Sequence, residues 1–174
     1  MNPQQQIRES MESLAGHFVE HPQDATSHDR PAVATLESGL RCKATGPKGE
    51  TLVTDMPSVI GGAGSAPTPG WYLRAALANC DATMIAMRAA QLGIELTTLE
   101  VSVASHSDNR GLLDGFYAIP AGPLGVEITV RISARDVPAQ MLRDLVHWAE
   151  EHSPVGDALR RAVSMSVSTE ILAG

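Results

Sequence analysis

Two cysteines, Cys42 and Cys80, are the residues of this chain best suited to covalent chemistry. A thiolate attacks peroxides and disulfides and is a soft metal ligand. Without a Cys-x-x-Cys spacing the pair does not point to a structural zinc site, and two thiols do not make a disulfide framework. Three fates stay open for them: inert core residue, single disulfide, or reactive thiol. The six histidines invite a metal reading. His147 and His152 lie on or at the end of one predicted helix with Glu150 and Glu151 between them, but a five-residue spacing does not put two imidazoles on one face as His-Glu-x-x-His does, and no metal is expected. His106, Asp108 and Arg110 are a candidate charged cluster for which a solvated turn is the better explanation. Gly61-Gly62-Ala63-Gly64 before a helix has the composition of an anion-binding turn. It has neither G-x-G-x-x-G nor Gly-Lys-Ser/Thr, and a turn requiring positive φ accounts for it better. No serine nucleophile elbow or triad spacing is present.

Cys80 sits in an otherwise apolar run, flanked by Asn79 and Asp81. A free cysteine inside a helix is ordinarily a small core hydrophobe. Thr68 followed by Pro69 caps a predicted helix that runs to Leu92 and stops at Gly93. That start leaves Cys80 about three turns in, too far for the helix dipole to stabilise a thiolate. A reactive Cys80 therefore needs a cation from another segment, with Arg41 or Arg110 as candidates, because Arg74 and Arg88 are not on its face. The helix carries Leu73, Leu77, Cys80, Met84 and Met87 on one predicted stripe and alanines over most of the rest. A helix that is small and apolar all round is buried against more than one neighbour, which makes this the predicted central element.

Around it, Ile7, Met11, Leu14 and Phe18 predict an amphipathic helix over residues 4 to 20, followed by a polar linker bracketed by Pro22 and Pro31. Residues 1–31 are read as this helix and linker, and residues 32–174 as the main domain. Ala32–Glu37, Leu40–Thr45 and Glu50–Thr54, separated by glycine turns, predict an antiparallel meander. Leu96–Ser105 and Leu124–Ile132 predict strands, residues 138 to 151 a helix capped by Asp136, Ser153-Pro154 a short helix through Arg161, and Val163–Leu172 a final alternating strand. This order is an α+β fold.

The 174 residues fit one such domain, and 43% hydrophobic with 19% charged residues is a globular composition. Aromatic residues make up only 3%, which leaves no base-stacking surface, and a net charge of −7 repels a phosphate backbone. Nucleic acid is not an expected partner. The N-terminal residues lack a basic n-region and apolar h-region, and no stretch approaches about 18 uncharged apolar residues. No membrane partner is expected; a cytoplasmic, reducing setting is, and there a free thiol is more plausible than a structural disulfide.

Asp55-Met56-Pro57, then Gly61-Gly62, then Pro69, then Cys80 within Leu73-Arg74-Ala75-Ala76-Leu77-Ala78-Asn79-Cys80 resembles the OsmC/Ohr family of organic hydroperoxide reductases. Gly93-Ile94-Glu95-Leu96, Ser107-Asp108-Asn109-Arg110-Gly111 and Ser153-Pro154-Val155 follow in the family's order, and the resemblance spans about residues 33–172. It implies an intertwined homodimer in which each Ala-rich central helix packs beside its mate, flanked by two mixed β-sheets, with active sites at the dimer interface. It also implies that Cys80 is the peroxidatic cysteine, that Arg41 is its activating cation, and that no cofactor is needed. Departures accompany it. The family's resolving cysteine is Ser153 here, and the glutamate that holds the activating arginine is Gly70. Cys42 could resolve a Cys80 sulfenic acid only if their Cα atoms lie within about 7 Å; a plain buried Cys42 is the ordinary reading. The expected activity is thus a one-cysteine hydroperoxide reductase in oxidative-stress defence, recycled by an external thiol. The rival expectation is a non-catalytic relative binding a small apolar or thiol-bearing ligand in the interface cleft.

Overall fold

A computed structural model describes residues 2–173. Asn2 accepts a hydrogen bond from the Gln4 backbone N–H and Pro3 fills the first turn, so α1 forms over Pro3–Glu20. Its partly buried side chains include Met11 and Phe18. The helix packs against the central helix, and the Gln4 side chain donates to the Ile94 carbonyl at 3.1 Å. A 3₁₀ turn, Pro22–Ala25, occupies the start of the linker.

The meander follows as β1 (Val33–Ser38), β2 (Arg41–Thr45) and β3 (Thr51–Thr54), antiparallel in that order, with Cys42 opposite Leu36 and Thr54. A loop with a single 3₁₀ turn at Ser58–Ile60 leads to α2, Pro69–Gln91. Thr68 caps α2 by accepting from the Trp71 N–H at 3.2 Å, and Gly93 ends it in the left-handed region at φ 70°. Next come β4 (Leu96–His106) and β5 (Gly125–Ala134), which form a second antiparallel pair, then α3 (Ala139–Glu151) and α4 (Pro154–Arg160).

The core lies where α2, α3 and the β4–β5 pair meet. Ile85, Ala89, Ile94, Leu145 and Ala149 are buried there, with Leu99, Val101, Val130 and Ile132 packed against them. As its composition predicts, α2 has several neighbours: β4, α3, α1 and α4.

Three expectations need correction. The buried stripe of α2 is Leu77, Asp81, Ile85 and Ala89, whereas Leu73 is exposed and Cys80, Met84 and Met87 are only half-buried. Four-residue steps set this face, because that is the side on which α3, α4 and β4 gather. Asp136 does not cap α3: it occupies the turn at φ 55°, and Pro138 stands at the N-cap with no side-chain bond. Among the described residues both sheets of the single chain are antiparallel; the mixed sheets that the resemblance implies belong to the dimer. Val163–Leu172 forms no strand. Its alternation is real, but no backbone hydrogen bond reaches residues 163–172 among the described residues, and Met165 and Val167 are 90% and 92% exposed. A strand pattern becomes a strand only beside an edge that satisfies its N–H and C=O groups.

Candidate functional site

Cys80 lies in the third turn of α2, half-buried, between Asn79 and Asp81. The Asn79 amide folds back onto the Ala75 carbonyl at 2.9 Å and leaves the sulfur free of it. What meets the sulfur is Ser153. Its hydroxyl donates to Cys80 Sγ at 3.3 Å and accepts from the Gly156 N–H at 3.1 Å. One hydroxyl proton and two lone pairs allow both roles together. Ser153 is fully buried and is the N-cap of α4, so its orientation is set by the helix it starts.

The segment before Ser153 is braced by aromatic contacts. Trp148 stacks on His152 with ring centroids 4.0 Å apart, and the Arg88 guanidinium covers the Trp148 ring at 4.6 Å. Arg88 is thereby committed to the indole. Beside Cys80, Asp81 is 2% exposed, and neither carboxyl oxygen has a hydrogen-bond partner among the described residues. An unmet carboxyl in the apolar stripe costs stability.

A second polar centre gathers on the loop that feeds α2. Asp55 is 1% exposed at the end of β3. Its Oδ2 accepts from the Ser65 N–H at 2.9 Å and the Ser65 hydroxyl at 2.7 Å, and its Oδ1 from the Met56 N–H at 2.7 Å. The Ser65 N–H and then the Ser65 hydroxyl, helped by the Met56 and Ala63 N–H groups, hold the Asp55 carboxyl down at about 2 against the opposing effect of burial. Ser65 Oγ in turn accepts from Arg41 Nη1 at 2.7 Å, and Arg41 Nε donates to Glu37 at 2.9 Å. Two glycines let the loop close on Asp55. Gly61 takes φ 90°, and a Cβ at Gly62 would stand 1.8 Å from the Met56 carbonyl oxygen. The result is a cavity of about 330 Å³ lined in part by Gly39, Arg41, Asp55, Gly62 and Ser65.

The two sequence-predicted site residues therefore occupy different centres. The described hydrogen bonds do not join Arg41 to Cys80: Arg41 holds the loop before Thr68, and Cys80 lies about 16 Å along α2 from Pro69. Arg110, the other candidate cation, is spent on Asp108 in a bidentate pair with Nε at 2.9 and 3.1 Å, which lowers the Asp108 carboxyl and raises Arg110. Arg74 reaches Ser105 at 3.2 Å. Both cysteines are free. His147 pairs with Glu151 at 3.4 Å, and no cluster of three metal-ligating side chains exists among the described residues. No helix of the described residues is long and apolar enough to cross a membrane.

Sequence reasoning missed Ser65 and the core position of Asp81. The signal for the first was present: a carboxylate ending a strand, before a glycine-rich turn holding one serine, is a ready acceptor for loop N–H groups. For Asp81 there was no local signal, since its neighbours fix only that it lies on a helix.

Comparison with known proteins bears on the family and the fold. Residues 62–168 match the OsmC family, described as OsmC-like protein. No curated protein matches the chain. Among solved structures, the OsmC-like protein of Mycoplasma pneumoniae superposes with a TM-score of 0.64 at 14% identity, covering 79% of this chain and 91% of that one. An organic hydroperoxide resistance protein OsmC from Legionella pneumophila gives 0.56 at 21%, covering 77% and 92%. The organic hydroperoxide resistance protein of Elizabethkingia anophelis, with thiocyanate bound, gives 0.57 at 17%, covering 79% and 93%.

Proposed function

The chain belongs to the OsmC-like protein family, and from that premise we propose that it reduces organic hydroperoxides at Cys80 with electrons from an external thiol, in defence against oxidative stress. The observation that carries the reading is the Ser153 hydroxyl aimed at the Cys80 sulfur from 3.3 Å. An aimed donor is what an anionic sulfur needs, and the residue supplying it stands at the position of the family's resolving cysteine.

The Cys80 thiolate attacks the distal oxygen of R–O–O–H. An S–O bond forms, the O–O bond breaks, and the alkoxide takes up a proton to leave as R–OH, so sulfur is oxidised by two electrons to a sulfenic acid. Ser153 has no thiol to continue. A small external thiol R′–SH condenses with Cys80–SOH to release water and form a mixed disulfide, and a second R′–SH liberates the Cys80 thiol and R′–S–S–R′. A reducing cytoplasm supplies such thiols.

The active unit is a homodimer. Its support is the unpaired Val163–Leu172 segment, which has a strand's alternation and no partner strand in its own chain among the described residues. Its further support is the separation of Arg41 from Cys80 along α2: in an interface site, Arg41 of one protomer serves Cys80 of the other. Light scattering of the intact chain, beside a variant ending at residue 162, tests this; a monomer in both would refute it.

Cumene hydroperoxide consumption with a dithiol, measured for wild type and Cys80→Ser, tests the activity. Turnover only by wild type is expected, and equal rates would sink the proposal. A second reading, a non-catalytic protein that holds a small apolar or thiol-bearing ligand in the interface cleft, is favoured by Ser153 and Gly70 standing where the peroxidase branch has cysteine and glutamate. It predicts no native alkylation of Cys80 and no turnover.

A further inference from the structure

Arg41 is gripped by two groups of unequal quality. Glu37 meets its Nε at 2.9 Å, but this pair is about a third exposed on both sides, and exposed pairs fix a long side chain poorly. Ser65 meets Nη1 at 2.7 Å. A serine hydroxyl has one proton, and here that proton goes to Asp55 Oδ2 at 2.7 Å, so Ser65 presents a lone pair to Arg41. Asp55 is itself buried and bound by backbone N–H groups of Met56 and Ser65, and its carboxyl is held at about 2, so the direction of the relay is the same throughout the neutral range. The chain Asp55, Ser65, Arg41 thus runs from a fixed buried anion to a partly exposed cation at the edge of the 330 Å³ cavity. Position 70, where the resemblance expects the glutamate that would hold Arg41, is a glycine whose Cβ would meet nothing nearer than 3.9 Å. A Cβ would fit there, but position 70 supplies no carboxylate, and the groups that meet Arg41 are Glu37 and Ser65.

We propose that Ser65, oriented by Asp55, is the positioning residue for Arg41. Its effect on chemistry rests on the reading of Arg41 as the cation that activates Cys80; its effect on Arg41 itself does not.

Two readouts separate these parts. The first is ¹⁵N relaxation of the Arg41 Nε–H in wild type, Ser65→Ala and Ser65→Thr, each first confirmed as folded by its circular dichroism. Arg41 is expected to be ordered in wild type, mobile in Ser65→Ala, and ordered again in Ser65→Thr, whose hydroxyl restores the relay on an exposed loop. An Arg41 equally ordered in Ser65→Ala overturns the proposal. The second is the rate of Cys80 sulfenic acid formation against pH. Ser65→Ala is expected to slow it roughly tenfold, the scale of one hydrogen bond to a charged group, to shift the pH profile toward that of Arg41→Ala, and to be rescued by threonine. A Ser65→Ala profile identical to wild type, where Arg41→Ala is impaired, also overturns the proposal. No peroxide reaction in wild type, together with a Ser65-dependent Arg41 signal, sinks the hydroperoxide reading and leaves the positioning of Arg41 established.

Discussion

The two polar centres on either side of α2's first three turns are built in opposite ways. At Cys80 the partners come from distant sequence, 73 residues apart, and touch through a single hydroxyl, with an unmet carboxyl at Asp81 next door. At Arg41 the partners lie within a short stretch of chain, and every group in the relay from Asp55 through Ser65 is satisfied. The first centre is under-satisfied and sits over the packed core; the second is saturated and sits on a loop. Reactive groups tolerate unmet hydrogen-bonding capacity that structural ones do not. The contrast fits the proposal that the chemistry belongs to the Cys80 end and the alignment to the Arg41 end.

The sharpest test converts one centre's chemistry. Ser153→Cys puts a second thiol where an oxygen now lies 3.3 Å from Cys80 Sγ. One equivalent of hydroperoxide should then yield a disulfide between Cys80 and the introduced thiol, whereas wild type stops at a sulfenic acid. Intact-mass measurement after dimedone trapping distinguishes them, and a dimedone adduct in both proteins would contradict the geometry.

Next in size, Leu145→Ala should cost about 2–5 kcal/mol in urea denaturation, because Leu145 is buried in the core beneath α2. The Arg41 Nε signal should survive that change below the transition, since Leu145 lies in the core with Ile85 and Ala149 and not on the loop that holds Arg41. Asp81→Ala should act in the reverse direction and raise stability by about 1 kcal/mol, removing an unmet buried carboxyl and gaining helix propensity. A loss instead of a gain would mean that Asp81 has a partner in the assembled protein, and the contrast would narrow.

The smallest expected effect is on acid stability. The Asp55 carboxyl is held at about 2 in the fold against 3.8 in a free chain. Its contribution is therefore full above 3.8 and is lost as the pH falls through 2. Asp55→Asn should remove that portion of the acid limb, read as a flatter stability profile between pH 4 and 2. An unchanged slope would show that the loop does not depend on the anion.

Much of the fold was legible because it is encoded locally. Thr68-Pro69 and Gly93 mark both ends of α2, and the glycine turns at Gly39 and Gly49 separate the strands of the meander. The motif order also placed Cys80 in its family context. Less was legible where long-range packing decides. A stripe through Leu73, Cys80 and Met87 and one through Leu77, Asp81 and Ile85 are both permitted by helical periodicity, and only the side on which α3 and β4 settle chooses between them. Asp136 is a good cap by type, yet the turn needed a residue at positive φ and took it.

By itself, then, the sequence determined the elements from α1 to α4 and their order, since propensity, capping and turn chemistry act over a few residues, and its motif order singled out Cys80. The tertiary structure decided that Ser153 reaches that thiol, that Arg41 is tied to Ser65 and, among the described residues, that Asp81 is buried unmet and Val163–Leu172 finds no edge in its own chain. Each of these depends on which surfaces of separately formed elements come to face one another, and that is set by packing across tens of residues, which no local pattern encodes.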